Sequence, residues 1–271
     1  MQYYAVVGNP VSHSKSPFIH SKFAAQTQQS LSYETLEAPL SDFELSVKDF
    51  FSGADNKGLN VTVPFKEQAY DLCRQLTSRA QLAGAVNTLF LNAAGELSGD
   101  NTDGLGLVKD LVVNHDISLR GKKILVLGAG GAVRGVLQPI LNELPARVVI
   151  CNRTLSKVDT LIDMFSGVGL IEKSSFEAID DSFDLIINGT SASLSGDVPP
   201  LSVVAIGAET ICYDMMYNRE ETVFNQWART HGAAECIDGL GMLVEQAAEA
   251  FFIWRDVRPD TSELIETLRT I

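Results

Sequence analysis

The chain is short of positive charge. Its 271 residues carry 21 Lys and Arg against 34 Asp and Glu, a formal net charge of −13. That balance argues against nucleic acid or an anionic membrane as the main partner, and any anionic ligand must be met by local positive groups. Cysteine is scarce as well, and Cys73, Cys151, Cys212 and Cys236 stand far apart with no CxxC pair. His13, His20, His115 and His231 show no relay or metal-ligand spacing. Free thiols in a reducing cytosol are expected, and no metal site. No run of about 18 apolar residues occurs, so no transmembrane helix is expected. The amino terminus lacks a basic segment followed by an apolar one, so no secretory leader is expected. Repeats and low-complexity tracts are absent. What is left is the composition of a soluble, cytoplasmic globular protein, 45% hydrophobic and 20% charged. The length suits one large or two ordinary domains with a sizeable core.

The most informative stretch is 121–154, GKKILVLGAGGAVRGVLQPILNELPARVVICNRT. Ile124 to Leu127 is a short apolar run that predicts a buried parallel strand. Gly128, Ala129, Gly130, Gly131 and Ala132 follow at once, then an apolar helical pattern over 133–144 and a β-branched strand over 147–151. Strand, glycine-rich turn, helix, strand is the unit that cradles a pyrophosphate, because the backbone must turn tightly and approach phosphate oxygens. An NAD site usually ends the second strand with Asp or Glu for the ribose 2′-hydroxyl. Here that place holds Asn152, Arg153 and Thr154, with Lys157 one turn on. Arg and Lys attract a 2′-phosphate, so NADP(H) is expected rather than NAD(H). The sixth fingerprint position is Val133, where Gly or Ala is usual.

Around this unit the pattern is α/β throughout. Strands are expected at 3–8, 32–37 and 58–63, helices over 16–27, 40–51 and 65–76, and a hairpin from 86–91 and 96–99 around 93–95. Ser16 reads as a helix N-cap with Pro17 behind it. A helical pattern over 104–114 leads into the glycine-rich unit. Buried strands follow at 184–188 and 210–214, then a long apolar helix over 240–255. Two domains with a deep cleft between them are expected, joined near 103–106 and again near 239–241.

Four further patterns can carry chemistry. In GNPVSHSKSP, Ser14 and Ser16 precede a helix start, where hydroxyls and free N–H groups can hold a carboxylate; Ser16 as a mere cap is the simpler reading. In NVTVPFKE, Lys66 falls in the first turn of a helix, where a cation opposes the dipole by roughly 0.3–1 kcal/mol. The misfit suits an acid–base lysine, although a surface lysine offset by Glu67 weighs about the same. AGAVNTL and GDNTDG supply Asn87, Asn101 and Asp103. The second slightly resembles a calcium loop, but its acids alternate wrongly and Leu111 stands where a closing Glu is needed, so calcium is rejected. In DGLGMLVEQAA, Gln246 lies four residues after Met242 and three after Leu243, a polar group on an apolar helix face that needs partners. Met215 and Tyr217 follow a strand, where core packing is the default for both.

Taken together and in order, SHSKSP, NVTVPFKE, AGAVNTL, DNTDG, GAGGA, NRT, YDMMY and DGLGMLVEQAA resemble the shikimate dehydrogenase family over nearly the whole chain. The resemblance implies an α/β protein with an N-terminal substrate domain, 1–103 plus 241–271, and a Rossmann-like NADP-binding domain, 104–240. It implies NADPH-dependent, reversible reduction of 3-dehydroshikimate to shikimate in aromatic amino-acid biosynthesis. It makes Lys66 and Asp103 the catalytic pair and puts Ser14 and Ser16 on the substrate carboxylate. Asn60, Thr62, Asn87, Tyr217 and Gln246 would surround the ring. Gly128 to Ala132 would hold the pyrophosphate, Asn152, Arg153, Thr154 and Lys157 the adenosine and 2′-phosphate, and Met215 and Gly239 the nicotinamide side. The partner expected is a small-molecule substrate, with a homodimer as a candidate assembly.

Three positions depart from the family pattern. Ser78 stands where relatives often carry Glu, and Gly189 and Ser193 where they often carry Ala and Gly. Gly189 is expected to loosen a strand end and to affect cofactor affinity modestly. Two other readings stand beside the first: a quinate/shikimate dehydrogenase with relaxed substrate and cofactor use, and a nucleotide-binding regulator without activity. Retention of Lys66 and Asp103 weighs against the regulator.

Overall fold

The structure, a computed structural model, describes residues 1–190, 192 and 196–270. Ser193 lies outside the described residues. The chain divides into two compact units, 1–106 with 244–267, and 107–243 with 268–271. The chain thus crosses after Gly106, Leu243 and Thr267, whereas the expected division has it cross after 103 and 240 only. Among the described residues no helix is long and apolar enough to cross a membrane.

The first unit is built on a six-stranded sheet. Its strands are β1 (Gln2–Gly8), β2 (Leu31–Glu37), β3 (Asn56–Val61), β4 (Gln75–Leu76), β5 (Thr88–Leu91) and β6 (Leu97–Asp100), in the order β2-β1-β3-β5-β6-β4. β1 pairs in parallel with β2 and β3, whereas β3–β5 and β5–β6 are antiparallel. Helices α1 (Ser16–Gln26), α2 (Phe43–Ser52), α3 (Lys66–Leu72) and α4 (Ser78–Ala83) connect the strands. A core of Val7, Phe43, Val47, Leu59, Val61, Phe65 and Leu89 packs among them. A separate cluster gathers Tyr4, Val6, Val11 and Tyr33 with Trp254.

The second unit carries a wholly parallel sheet of β7 (Lys123–Leu127), β8 (Arg147–Cys151), β9 (Glu172–Ser174), β10 (Phe183–Asn188), β11 (Ile206–Asp214) and β12 (Glu235–Asp238), ordered β12-β11-β10-β7-β8-β9. The order reverses at β7, so the turn after β7 lies at the switch point of the sheet, the usual ligand position in such folds. That turn leads into α6 (Gly131–Asn142), which follows α5 (Asp103–Lys109) in the chain. Val133, Val136, Leu137, Ile140 and Leu141 form the buried stripe of α6 at helical spacing. Helices α7 (Leu155–Phe165) and α8 (Val223–Thr230) complete the unit, and α9 (Leu240–Arg255) and α10 (Ser262–Thr270) close the chain.

Several expectations need correction. The helix expected over 65–76 stops at Leu72. Cys73 turns to an extended conformation, and Gln75 and Leu76 join the sheet against Ser98 and Gly99. A free sheet edge there outweighed helical spacing. The strand expected to reach residue 63 ends at Val61, since Phe65 N–H turns back to the Thr62 carbonyl. Ser16 is not the cap of α1 but its first residue. Lys15 occupies the cap position, and Ser14 Oγ accepts the Ser16 N–H at 3.2 Å.

The cluster around Trp254 encloses His20, which is fully buried and packs on Phe23, Tyr33, Phe251 and Trp254. Burial pushes its imidazole down from 6.5 to about 3, against a smaller upward effect of Asn60. The folded chain therefore keeps His20 neutral, while the unfolded chain takes up its proton near 6.5. Stability from this group is complete above about pH 6.5 and is lost as pH falls toward 3. Between pH 7.5 and 5.5 the loss is roughly 1.4 kcal/mol. Urea denaturation at the two pH values should show that much less pH dependence in His20→Phe than in the parent, and equal dependence would remove the assignment.

Candidate active site

In the first unit, Lys66 opens α3 and Asp103 opens α5, and the two side chains meet. Lys66 Nζ lies 2.6 Å from Asp103 Oδ2, with side chains 30% and 13% exposed. The other carboxylate oxygen, Oδ1, accepts from Asn87 Nδ2 at 2.8 Å. Asp103 is thus held at both oxygens, which leaves the pair half-buried but rigid.

Asn87, 2% exposed, is the hub. Its Oδ1 accepts the Thr102 N–H at 2.9 Å, and its Nδ2 also reaches Gln246 Oε1 at 3.3 Å. Gln246 has therefore found protein partners in Asn87 and Thr102. Asn60 donates from Nδ2 to the Asn87 carbonyl and to Thr88 Oγ1, both at 3.2 Å. Lys66, Asp103, Asn87, Asn60 and Gln246 are thereby brought into one connected cluster. Ser14 and Ser16 adjoin each other at the start of α1. Thr62 lies four residues before Lys66, its methyl packed on the bare Gly8, where a Cβ would sit 2.4 Å away.

The loop that carries Asp103 is anchored one step back. Asp100, buried, accepts Arg79 Nε and Nη2 at 2.6 Å each, Thr77 Oγ1 at 2.6 Å and the Asn101 N–H at 2.7 Å. Asn101 Oδ1 in turn accepts the Asp103 N–H. Asp100, Thr102 and Thr88 were not picked out from the sequence. Their signal was position alone, since each flanks a residue that was. Ser78, one of the departures, is exposed at the start of α4.

In the second unit the glycine-rich turn has the expected form. Gly128 has φ +104°, which a side chain would strain, and its N–H donates to the Cys151 carbonyl at 2.8 Å. Gly130 and Gly131 are exposed at the start of α6, and a Cβ on Gly130 would meet nothing within 4 Å. The first turn of α6 has no acidic residue. The uncovered N–H groups of Gly130, Gly131 and Ala132, beside Ala129, thus form an open anion cradle. After β8, Asn152 Nδ2 ties back to the Thr154 carbonyl at 2.8 Å. Arg153 and Lys157 are exposed, and neither has an ion-pair partner among the described residues. Two uncommitted cations beside an anion cradle, in a chain of net charge −13, fit a dinucleotide carrying an extra phosphate. Among the described residues no group of His, Cys, Asp and Glu could hold a metal ion.

Met215 and Tyr217 follow β11. Met215 is buried, and its N–H donates to the Asn188 carbonyl. Gly239 comes so close to it that a Cβ would sit 2.2 Å from the Met215 carbonyl oxygen. Tyr217 is 36% exposed, and partial burial raises its phenol above the ordinary range.

A family model described as the shikimate dehydrogenase substrate binding domain matches residues 6–89. One described as shikimate/quinate 5-dehydrogenase matches 110–195, and one described as the shikimate 5'-dehydrogenase C-terminal domain matches 239–269. A shikimate dehydrogenase (NADP(+)) of Marinobacter nauticus is 57% identical over 271 residues, covering 98% of both chains. One of Hahella chejuensis is 56% identical over 99% of both. Among solved structures, the Ael1 enzyme of Pseudomonas putida matches with TM-score 0.95 and 44% identity over 99% of this chain and 98% of that one. The Thermus thermophilus shikimate 5-dehydrogenase solved with NADP(H) and shikimate matches with TM-score 0.86 and 32% identity over 100% and 99%.

Gly189 has a role that its sequence position did not show. A Cβ there would lie 2.5 Å from Val133 Cγ2 and 3.2 Å from the Met215 sulfur. The bare Gly189 makes room for the bulky Val133, so two departures from the usual pattern compensate each other. Gly189→Ala should cost about 1–3 kcal/mol through overpacking. Adding Val133→Ala should recover part of that loss, whereas additive losses in urea denaturation would show that the two positions are independent.

Proposed function

Because this chain belongs to the shikimate dehydrogenase family, we propose that Lys66 and Asp103 perform the proton transfer in an NADP(H)-dependent, reversible reduction of 3-dehydroshikimate to shikimate. The observation that carries the assignment is the 2.6 Å Lys66–Asp103 pair, fixed from behind by Asn87.

Reducing a ketone to an alcohol places hydride on carbon and a proton on the developing alkoxide. The nucleotide, when bound, supplies the hydride. The Lys66 ammonium has three protons, one of which is engaged by Asp103 Oδ2. The others are free to meet the carbonyl oxygen, stabilise its growing negative charge and protonate it. Asp103 keeps the lysine aimed. Its own aim comes from Asn87 and from the Asn101 amide oxygen. In the reverse direction the same pair receives the proton.

The residues that would grip the substrate are the polar side chains gathered around Lys66 and Asp103, with Ser14 and Ser16 at the start of α1. Ser14 Oγ accepts from Ser16 N–H, which leaves its hydroxyl proton to donate to a carboxylate. Asn60, Thr62, Asn87 and Gln246 would face the ring hydroxyls, with Tyr217 completing the substrate set. On the nucleotide side, Gly128 to Ala132 would hold the pyrophosphate at the N-terminus of α6. Arg153, Lys157, Asn152 and Thr154 would hold the adenosine and its 2′-phosphate. Met215 and Gly239 would line the nicotinamide position. The family model that includes quinate in its description keeps the broader substrate range as the second reading.

Turnover followed at the reduced-nicotinamide absorbance band, with shikimate or quinate and with NADP+ or NAD+, separates these readings. Fast turnover with shikimate and NADP+ alone is the expected result; comparable rates with quinate or NAD+ would favour the broader enzyme, and none would favour the regulator. Lys66→Ala should lower kcat by about 10²- to 10⁴-fold with little change in KM. A large rise in KM with kcat intact would reduce Lys66 to a binding residue. Arg153→Ala should raise KM for NADP+ roughly tenfold and leave NAD+ nearly unaffected. Equal loss for both nucleotides would move the 2′-phosphate elsewhere.

A further inference from the structure

Tyr33, on β2, has no part in the chemistry derived above, yet it is buried against it. Its ring stacks on the His20 imidazole, with centroids 4.1 Å apart and planes within 4°. The stack is held chiefly by packing, with the Asn60 side chain as the polar neighbour that acts on the imidazole. The polar work of Tyr33 is confined to its oxygen. That hydroxyl donates to Asn60 Oδ1 at 2.7 Å, and the Ser16 side chain interacts with the same oxygen.

The bond to Asn60 starts a one-way chain. Asn60 Nδ2 donates to Thr88 Oγ1 at 3.2 Å, Thr88 Oγ1 to Asn87 Oδ1 at 2.8 Å, and Asn87 Nδ2 to Asp103 Oδ1 at 2.8 Å. Every donor points toward the Asp103 carboxylate, so each bond polarises the next. The Tyr33 bond is the shortest that Asn60 makes, since both of its own donations are at 3.2 Å. An amide side chain has a donor end and an acceptor end of nearly equal shape, and only its partners decide which end goes where.

We propose that Tyr33 is a positioning residue for substrate recognition: the Asn87 carbonyl settles which end of the Asn60 amide is the donor, and the Tyr33 hydroxyl pins the Oδ1 end in place, and with it the acceptor presented to a ring hydroxyl of the substrate. This rests on the reading that Asn60 faces the substrate ring. Tyr33→Phe keeps the ring and its stack and removes only the donor. KM for shikimate should rise about tenfold, with kcat changed less than about twofold and KM for NADP+ unchanged. Asn60→Ala should raise KM similarly, and the double variant should be no worse than Asn60→Ala alone, because Tyr33 acts through Asn60.

A substrate-side test does not depend on the Asn60 variant folding. With shikimate analogues lacking one non-reacting hydroxyl at a time, the effect of Tyr33→Phe should vanish for one analogue and persist for the other. Losses that add in the double variant, that are equal for both analogues, or that fall on kcat and both KM values alike would make Tyr33 a structural residue only. An unchanged KM in Tyr33→Phe would overturn its role while leaving the reaction intact. Absence of shikimate turnover in the parent enzyme would instead overturn the reaction itself.

Discussion

The geometry of the first unit hangs on one buried amide. Asn87 receives the Thr102 N–H, reaches Asp103 and Gln246, and offers its backbone carbonyl to both Asn60 and Val61. It joins β3, the end of β6 and α9 at a point from which water is excluded. A buried polar group of this kind is costly unless every partner is present, which is why such a lattice specifies one arrangement rather than several. The Lys66–Asp103 pair takes its precision from it. Asp100 fixes the same loop with four short bonds on one carboxylate, two of them from Arg79.

Charge is deployed differently in the second unit. Lys123, Arg147 and Lys173 are matched with acidic neighbours on the surface. Such exposed pairs contribute little to stability, but they remove those cations from competition for an anionic ligand. Among the described residues Arg153 and Lys157 have no ion-pair partner beside the open turn at Gly130. In a strongly acidic protein, that selective omission creates a local field for phosphate without making the whole surface sticky.

Much of this was legible from residue order, and unevenly so. β7 and β8 were placed within a residue because a doubly covered parallel strand is a continuous apolar run, and α9 because its apolar spacing is long and bounded. β4 was invisible, since two residues carry no periodicity and Gln75–Leu76 is strand only because β6 offers an edge. Lys66, Asp103, Asn87 and Gln246 could be picked out as polar residues in odd places. Their mutual contacts could not, because they lie far apart in the chain. Tyr33 looked like a strand tyrosine, and nothing in its neighbours in sequence told of Asn60. The Val133–Gly189 compensation was likewise visible only as two separate irregularities.

The route of the chain sets an order in time. Lys66, Asn87 and Asp103 emerge early during synthesis. Gln246, which meets Asn87, and Trp254, whose ring fills the space left by Gly58 and whose N–H binds the Leu89 carbonyl, emerge close to the end. The second sheet can be complete before them. A chain cut after β12 would hold every strand of the second sheet but lack Gln246 and Trp254. In order of synthesis, the cluster around Asn87 is thus completed late, by the helix that carries Gln246.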